Sequence, residues 1–263
     1  MDLQLRDKTA FISGSTQGIG YAIAKTLAGE GVRVTLNGRD QAKLTAAVEA
    51  LRREIPDASV DGLAADFSDP IQVERLCTEL TDADILINNV GLFDLKPFEE
   101  ISADEWRRYF EVNTLSGALL SRRLLPGMLE RGWGRIVFIS SESGVNVPAD
   151  MIHYGASKAA MLALGNGLAK LTKGTGVTVN SILGGPTYSD GVAGTVEALA
   201  AQTGLAAAEM KQAIIGTNQT TLLQRFIEPE EIAAMVTFLA SPLASATNGS
   251  AVRVDGGVLT AML

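Results

Sequence analysis

Ser141, Tyr154 and Lys158 are the residues of this 263-residue chain whose types and spacing could do chemistry together. They lie in SSESGVNVPADMIHYGASKAAM, residues 140–161, with the tyrosine four residues before the lysine and thirteen after the serine. Tyr and Lys four apart share one face of a helix, a spacing that ordinary surface pairs also have. The chemical reading is acid–base. A phenol with an ordinary pKa of about 10 transfers protons poorly at neutral pH, and a nearby ammonium favours the phenolate and lowers that pKa. A serine just past a strand end could hold and polarise a carbonyl oxygen. Its neighbour Ser140 is expected to support the strand. Alternation past the strand end would turn Glu142 away from Ser141, and His153 cannot share Tyr154's helical face, so both are expected to be structural or to line a substrate pocket.

Positioning these groups requires a strand before Ser141 and a helix carrying Tyr154 and Lys158. Apolar or β-branched runs recur at Thr9–Ser13, Val32–Asn37, Val60–Ala64, Ile85–Asn88, Ile136–Ser140, Val177–Leu183 and Ala251–Val254. Several are apolar throughout, as strands covered on both faces are. Helical patterns fill 18–29, 40–54, 70–80, 103–129, 151–172 and 228–240. Ser102 with Glu105 has capping-box spacing, and Pro229 suits a first helical turn. The alternation predicts a single α/β domain over 1–263, a doubly wound Rossmann fold with a seven-stranded parallel sheet and helices on both faces. Residues 184–227 break the pattern. They show no strand signal, and Thr195–Ile215 could form one or two short helices; an excursion of that length suggests a substrate-binding loop or lid.

After the first strand comes SGSTQGIG, with Gly14, Gly18 and Gly20 spaced G-x-x-x-G-x-G. Glycines there let the backbone turn tightly and approach a pyrophosphate, and the following helix offers unpaired N–H groups. Ser15, Thr16, Gln17 and Ile19 complete this turn. The second strand ends in TLNGRD. An acid at the strand end would hydrogen-bond ribose hydroxyls and select NAD(H). Gly38 stands there instead, after Asn37 and before Arg39, whose guanidinium can pair with a 2′-phosphate. NADP(H) is therefore favoured. Asp40 could still reach a ribose and Gln17 supplies no charge, so NAD(H) stays possible.

The glycine turn, NNVG at 88–91, Asn113, Ser141, Tyr154-x-x-x-Lys158 and VRVDGG resemble the short-chain dehydrogenase/reductase family over the whole chain, in pattern closest to 3-oxoacyl-(acyl carrier protein) reductase-like members. The resemblance implies a catalytic tetrad of Asn113, Ser141, Tyr154 and Lys158. Lys158 would also grip the nicotinamide ribose and, with Asn113, anchor a proton relay. It further implies adenine contacts from Asp66 with Phe67 alongside, a path lined by Asn89 and Gly91, and carboxamide-side contacts from Pro186, Thr187 and Ser189. Asp66 followed by Ser68 and Asp69 also reads as a capped loop. Gly184-Gly185 replaces the family's usual Pro-Gly, which frees the backbone there.

Composition limits the partners. A net charge of −8 argues against a nucleic-acid binder, which needs clustered Lys and Arg. The one cysteine, Cys77, fits a helical core position, so no intrachain disulfide forms and a reducing, cytoplasmic setting is expected. MDLQLRDK lacks a signal-peptide layout, and no run approaches the roughly 20 apolar residues of a membrane span. With one histidine and no Cys/His cluster, no metal site is expected. The sequence therefore reads as an NADPH-dependent reductase of a small carbonyl compound. An NAD-dependent alcohol or polyol dehydrogenase is the alternative, with a cofactor sensor beyond it. The 184–227 segment has few charges and favours an uncharged, partly apolar substrate, with Phe93, Leu95, His153, Tyr188 and Val192 as pocket candidates. Family resemblance implies a homotetramer.

Overall fold

The computed structural model describes residues 1–217 and 221–262. Seven strands form one parallel sheet: β1 (Thr9–Ile12), β2 (Arg33–Gly38), β3 (Val60–Ala64), β4 (Ile85–Asn88), β5 (Trp133–Ser141), β6 (Gly176–Gly184) and β7 (Ala251–Val254). Their order is β3-β2-β1-β4-β5-β6-β7, so the chain reverses direction of growth between β1 and β4. Ligands of open parallel sheets bind beyond the strand ends at such a switch. The candidate residues cluster there.

Strand alternation divides the core between the two faces. Ile12, Ile85, Ile87, Val137 and Ile139 join a cluster containing α1 (Gly18–Gly29), α2 (Gln41–Glu54) and α9 (Pro229–Ala240) side chains. Phe11, Leu86, Ile136 and Phe138 face the other side, against residues of α3 (Pro70–Glu79), α5 (Ser116–Glu130) and α6 (Ile152–Leu171). Both faces are therefore dry, which explains the uniformly apolar strands. Helix starts follow local chemistry. Ser102 and Glu105 close a capping box before α4 (Ala103–Tyr109), Asp40 caps α2 by accepting from Lys43 N, and Pro229 opens α9.

Two elements depart from the sequence reading. β5 begins at Trp133 because Trp133, Gly134 and Arg135 pair with Gly176, Val177 and Thr178. Arg135, one residue before the expected strand, is buried, donating to the carbonyls of Ser241, Gly134 and Gly176 and lying over the Trp133 ring. Those carbonyls satisfy a charge that burial would otherwise disfavour. The expected single helix over 103–129 is α4, then a π-helical stretch Phe110–Leu115, then α5. Such wide turns inside helices often sit at functional positions, and Asn113 lies in this one. In the 184–227 excursion the structure has α7 (Asp190–Thr203), α8 (Ala207–Thr217) and one parallel bridge between Thr187 and Ile227; residues 218–220 lie outside the described residues.

Candidate active site

β5 ends at Ser141, and a 3₁₀ turn, Glu142–Gly144, follows at once. Ser141 caps it, its Oγ accepting from Ser143 N at 3.1 Å. Tyr154 and Lys158 project from the first turns of α6, and Lys158 is buried. Its Nζ donates to Ile139 O at 2.8 Å and lies 5.6 Å from the centre of the Tyr154 ring. Ser140 Oγ donates to Lys158 O at 2.9 Å, the supporting role expected of it. Tyr154 and Ser141 interact through their hydroxyls. Three of the four tetrad positions thus converge on one point past the sheet.

Asn113 completes the group as a brace. Its Oδ1 accepts from Leu92 N at 2.7 Å, and its Nδ2 donates to Leu92 O at 3.0 Å and Ser157 Oγ at 2.9 Å. Ser157 in turn donates to Tyr154 O at 2.7 Å, so Asn113 ties the segment after β4 to the tyrosine's own turn of α6. Gly91 lies between them. A Cβ there would stand 3.3 Å from Lys158 Nζ and 3.6 Å from Asn113 Oδ1.

Burial governs the electrostatics. It pushes the Tyr154 phenol well above its ordinary value, the Ser141 hydroxyl opposing and the Glu142 charge adding to the rise. Burial also brings the Lys158 ammonium down to about 8, against the attraction of Glu142. This differs from the expectation that Lys158 lowers the tyrosine's pKa. The ammonium is held by a backbone carbonyl, and desolvation outweighs it.

Glu142 corrects a second expectation. Alternation holds only within a strand, and the 3₁₀ turn rotates Glu142 back toward Ser141, whose Oγ donates to Glu142 Oε2. Ser143 Oγ donates to Glu142 Oε1 at 3.3 Å. His153 is buried against α4 instead of lining a pocket, with ring centres 4.0 Å from Tyr109 and 6.2 Å from Trp106. Burial lowers its pKa, and its Nδ1 has no partner among the described residues. Of the other pocket candidates, Phe93 and Leu95 are exposed, with the Phe93 ring facing Gly191. Tyr188 and Val192 pack within the α7–α8 unit around Val196, Ala200 and Met210.

The glycine turn is built for close approach. Gly14 has φ +61°, and a Cβ on it would lie 2.9 Å from Val90 Cα. Gly20 packs on Asn89, whose Nδ2 donates to Ser13 O at 3.0 Å and Gly14 O at 2.7 Å. Ser15 and Asn37 are buried and bind each other: Ser15 N donates to Asn37 O at 2.8 Å, Asn37 N to Ser15 Oγ at 2.9 Å, and Gly14 N to Asn37 Oδ1 at 3.1 Å. They hold the turn to β2 from inside. Gln17 precedes α1 at its N-cap, Ile19 lies in the first turn, and Gly18 N donates to Asp190 Oδ2 at 2.6 Å. Ser189 stands at the N-cap position of α7 beside Gly18, while Pro186 O accepts from Ile227 N and Thr187 Oγ1 donates to Gly185 O.

A cavity of about 360 Å³ opens beside this turn, lined by Gly14, Thr16, Gln17, Asn37, Gly38, Arg39, Asp66, Phe67, Val90 and Gly91 from the sequence expectations or their immediate neighbours. Lys43, Arg108 and Val112 line it too and were not foreseen. Lys43 lies one turn past Arg39, a spacing that offered a signal. Arg108 and Val112 offered none, because only packing brings them to β2. Asp66 accepts from Ser68 N at 2.9 Å and Ser68 Oγ at 2.7 Å. Burial works against its ionised form, but those hydrogen bonds and the charges of Arg39 and Arg108 hold its carboxyl below the usual value. Asp40 is committed to capping α2. No helix among the described residues is long and apolar enough to cross a membrane.

The chain resembles known proteins along its whole length. A family model described as enoyl-(acyl carrier protein) reductase matches residues 14–259. The Bacillus subtilis (strain 168) protein called uncharacterized oxidoreductase YvrD is 43% identical over 267 residues, covering 100% of both chains. The 3-oxoacyl-[acyl-carrier-protein] reductase FabG of Aquifex aeolicus (strain VF5) is 31% identical, over 98% of this chain and 100% of the other. L-sorbose reductase from Gluconobacter frateurii, solved with NADPH and L-sorbose, superposes with a TM-score of 0.94 at 30% identity, covering 100% of both chains. Agreement of sequence and fold over the full length makes the chain a member of the short-chain dehydrogenase/reductase family of oxidoreductases.

Proposed function

We propose that this protein is an NADPH-dependent carbonyl reductase that uses Tyr154 as the proton donor. The observation that carries the reading is the convergence of Ser141, Tyr154 and Lys158 beside Gly91, which also lines the cavity that holds Arg39, Lys43 and Arg108. The cavity suits a phosphorylated dinucleotide. Gly38 stands at the end of β2 where an acid would select NAD(H), Asp40 beside it is turned to capping α2, and Arg39, Lys43 and Arg108 in the lining offer charge for a 2′-phosphate. The solved relative that holds NADPH supports the same cofactor.

Bound NADPH supplies hydride to the carbonyl carbon. Ser141 holds the carbonyl oxygen, and Tyr154, kept protonated by burial, gives that oxygen its proton. Lys158, beside Gly91, would hold the ribose hydroxyls, and Asn113 fixes the turn that carries Tyr154. Arg39, Lys43 and Arg108 would hold the 2′-phosphate, and Asp66 and Phe67 would flank the adenine. The pair α7–α8, within 184–227, forms the substrate-binding lid. Its apolar interior and few charges favour an uncharged, partly apolar ketone or 3-oxoacyl compound. A homotetramer in a reducing, cytoplasmic compartment completes the reading; a monomeric mass in solution would contradict the assembly.

NADPH oxidation followed at 340 nm against acetoacetyl thioesters, cyclic ketones, diketones and ketoses, with NADH in parallel, tests the reading. Turnover with NADPH on one of these groups is expected. Turnover confined to NADH, or only alcohol oxidation with NAD, would overturn it.

A further inference from the structure

Glu142 stands within the reacting group yet has no part in the mechanism above. Its Oε2 receives the Ser141 hydroxyl proton, its Oε1 receives that of Ser143 at 3.3 Å, and Ser143 N donates to Ser141 Oγ at 3.1 Å. A serine hydroxyl has one proton. While Glu142 takes it, Ser141 cannot give it to a substrate oxygen. Holding the carbonyl oxygen, the role read for Ser141 above, requires that proton to turn.

We propose that Glu142 is a positioning residue that sets the direction of the Ser141 hydroxyl. As a carboxylate it draws the Ser141 proton to itself; as a carboxylic acid it donates to Ser141 Oγ and turns that proton toward the substrate oxygen. The inference rests on the roles of Ser141 and Tyr154 proposed above. Proton balance is simple. Glu142 takes one proton from solvent, Ser141 keeps its own and rotates, and the substrate oxygen still receives its proton from Tyr154.

The surroundings favour the neutral form of this carboxyl more than water does. Burial raises the Glu142 carboxyl above its ordinary value, opposed by the hydrogen bonds from Ser141 and Ser143. From its own segment Ser141 and Ser143 face it, and from α6 Tyr154 and Lys158 do; Tyr109 of α4 bears on Tyr154. The sign follows. Protonated Glu142 aids reduction, so kcat/KM is high below its pKa and falls as pH rises through it.

The test is the pH profile of NADPH-dependent kcat/KM from about pH 4.5, the ordinary carboxyl value, up to about pH 8, in the parent, Glu142→Gln, Ser141→Ala and the double variant. Expected for the parent is a roughly tenfold fall with rising pH, the scale of one hydrogen bond to a charged oxygen. Glu142→Gln cannot titrate and should lose that step. Ser141→Ala should lose it too, at lower overall activity, and the double variant should match Ser141→Ala in shape. Persistence of the step in Glu142→Gln or in Ser141→Ala overturns the inference, as does a parent profile without it. Tyr154→Phe separates the two levels: near-parent turnover in that variant would sink the mechanism itself, whereas an unchanged Glu142→Gln profile beside an inactive Tyr154→Phe would sink only the role of Glu142.

Discussion

Tyr154→Phe is expected to lower kcat for ketone reduction by about 10²- to 10⁴-fold, the range general acid catalysis supplies, with the dissociation constant for NADPH changed less than about threefold. The substitution removes one oxygen and leaves the ring, so α6 and the Asn113–Ser157 brace to its main chain remain. What is lost is the proton for the product alkoxide. Burial keeps the phenol protonated through the neutral range, and Glu142 adds to this. Reduction, which consumes that proton, is therefore served at neutral pH. Alcohol oxidation needs the phenolate and should accelerate as pH rises. Single-turnover kinetics and NADPH fluorescence titration measure both quantities. Turnover of the Phe variant within tenfold of the parent would remove Tyr154 from the mechanism.

The second large effect concerns cofactor choice. Arg39→Ala should reduce kcat/KM for NADPH by about 10- to 100-fold and that for NADH by less than about threefold, because a charge-assisted pair with phosphate contributes about 1.5–3 kcal/mol and NADH has no 2′-phosphate to lose. Arg39 is exposed at the cavity rim, where water weakens its pull, and Lys43 and Arg108 share the cavity. The loss should therefore fall near the lower end, and Arg39→Ala/Lys43→Ala should move further. Steady-state kinetics with both cofactors decide the matter. Equal losses with NADPH and NADH would mean that Arg39 supports the fold of the β2 end and reads no phosphate.

Much of the fold was legible because it repeats over contiguous residues. The runs at Val60–Ala64, Ile85–Asn88 and Ala251–Val254 are the strands as found; β4 is buried throughout, as an inner strand covered on both faces must be, whereas β3 and β7 lie at the sheet edges and carry Asp61 and Arg253. Gly14 falls between β1 and α1 and Gly18 and Gly20 in the first turn of α1, and Tyr154 and Lys158 share a helix face by spacing alone. Boundaries slipped where a long-range contact outweighed local pattern. Arg135 belongs to β5 because carbonyls from β6 and from beyond α9 receive its guanidinium, and nothing near it in sequence announces them.

The sequence by itself determined the alternating α/β order, the glycine turn and the shared helix face of Tyr154 and Lys158, because those features rest on residue type and on spacing within one or two elements; Asn113 entered through the family resemblance. Only the tertiary structure decided the rest. It turned Glu142 onto Ser141, where a 3₁₀ turn replaces strand alternation, and buried His153 against Trp106 and Tyr109. It brought Arg108 from α4 to the cavity beside Arg39 and set Asp190 on Gly18 N, 172 residues away. The contacts of His153, Arg108 and Asp190 join elements whose relative placement is set by packing, and no local period carries that information.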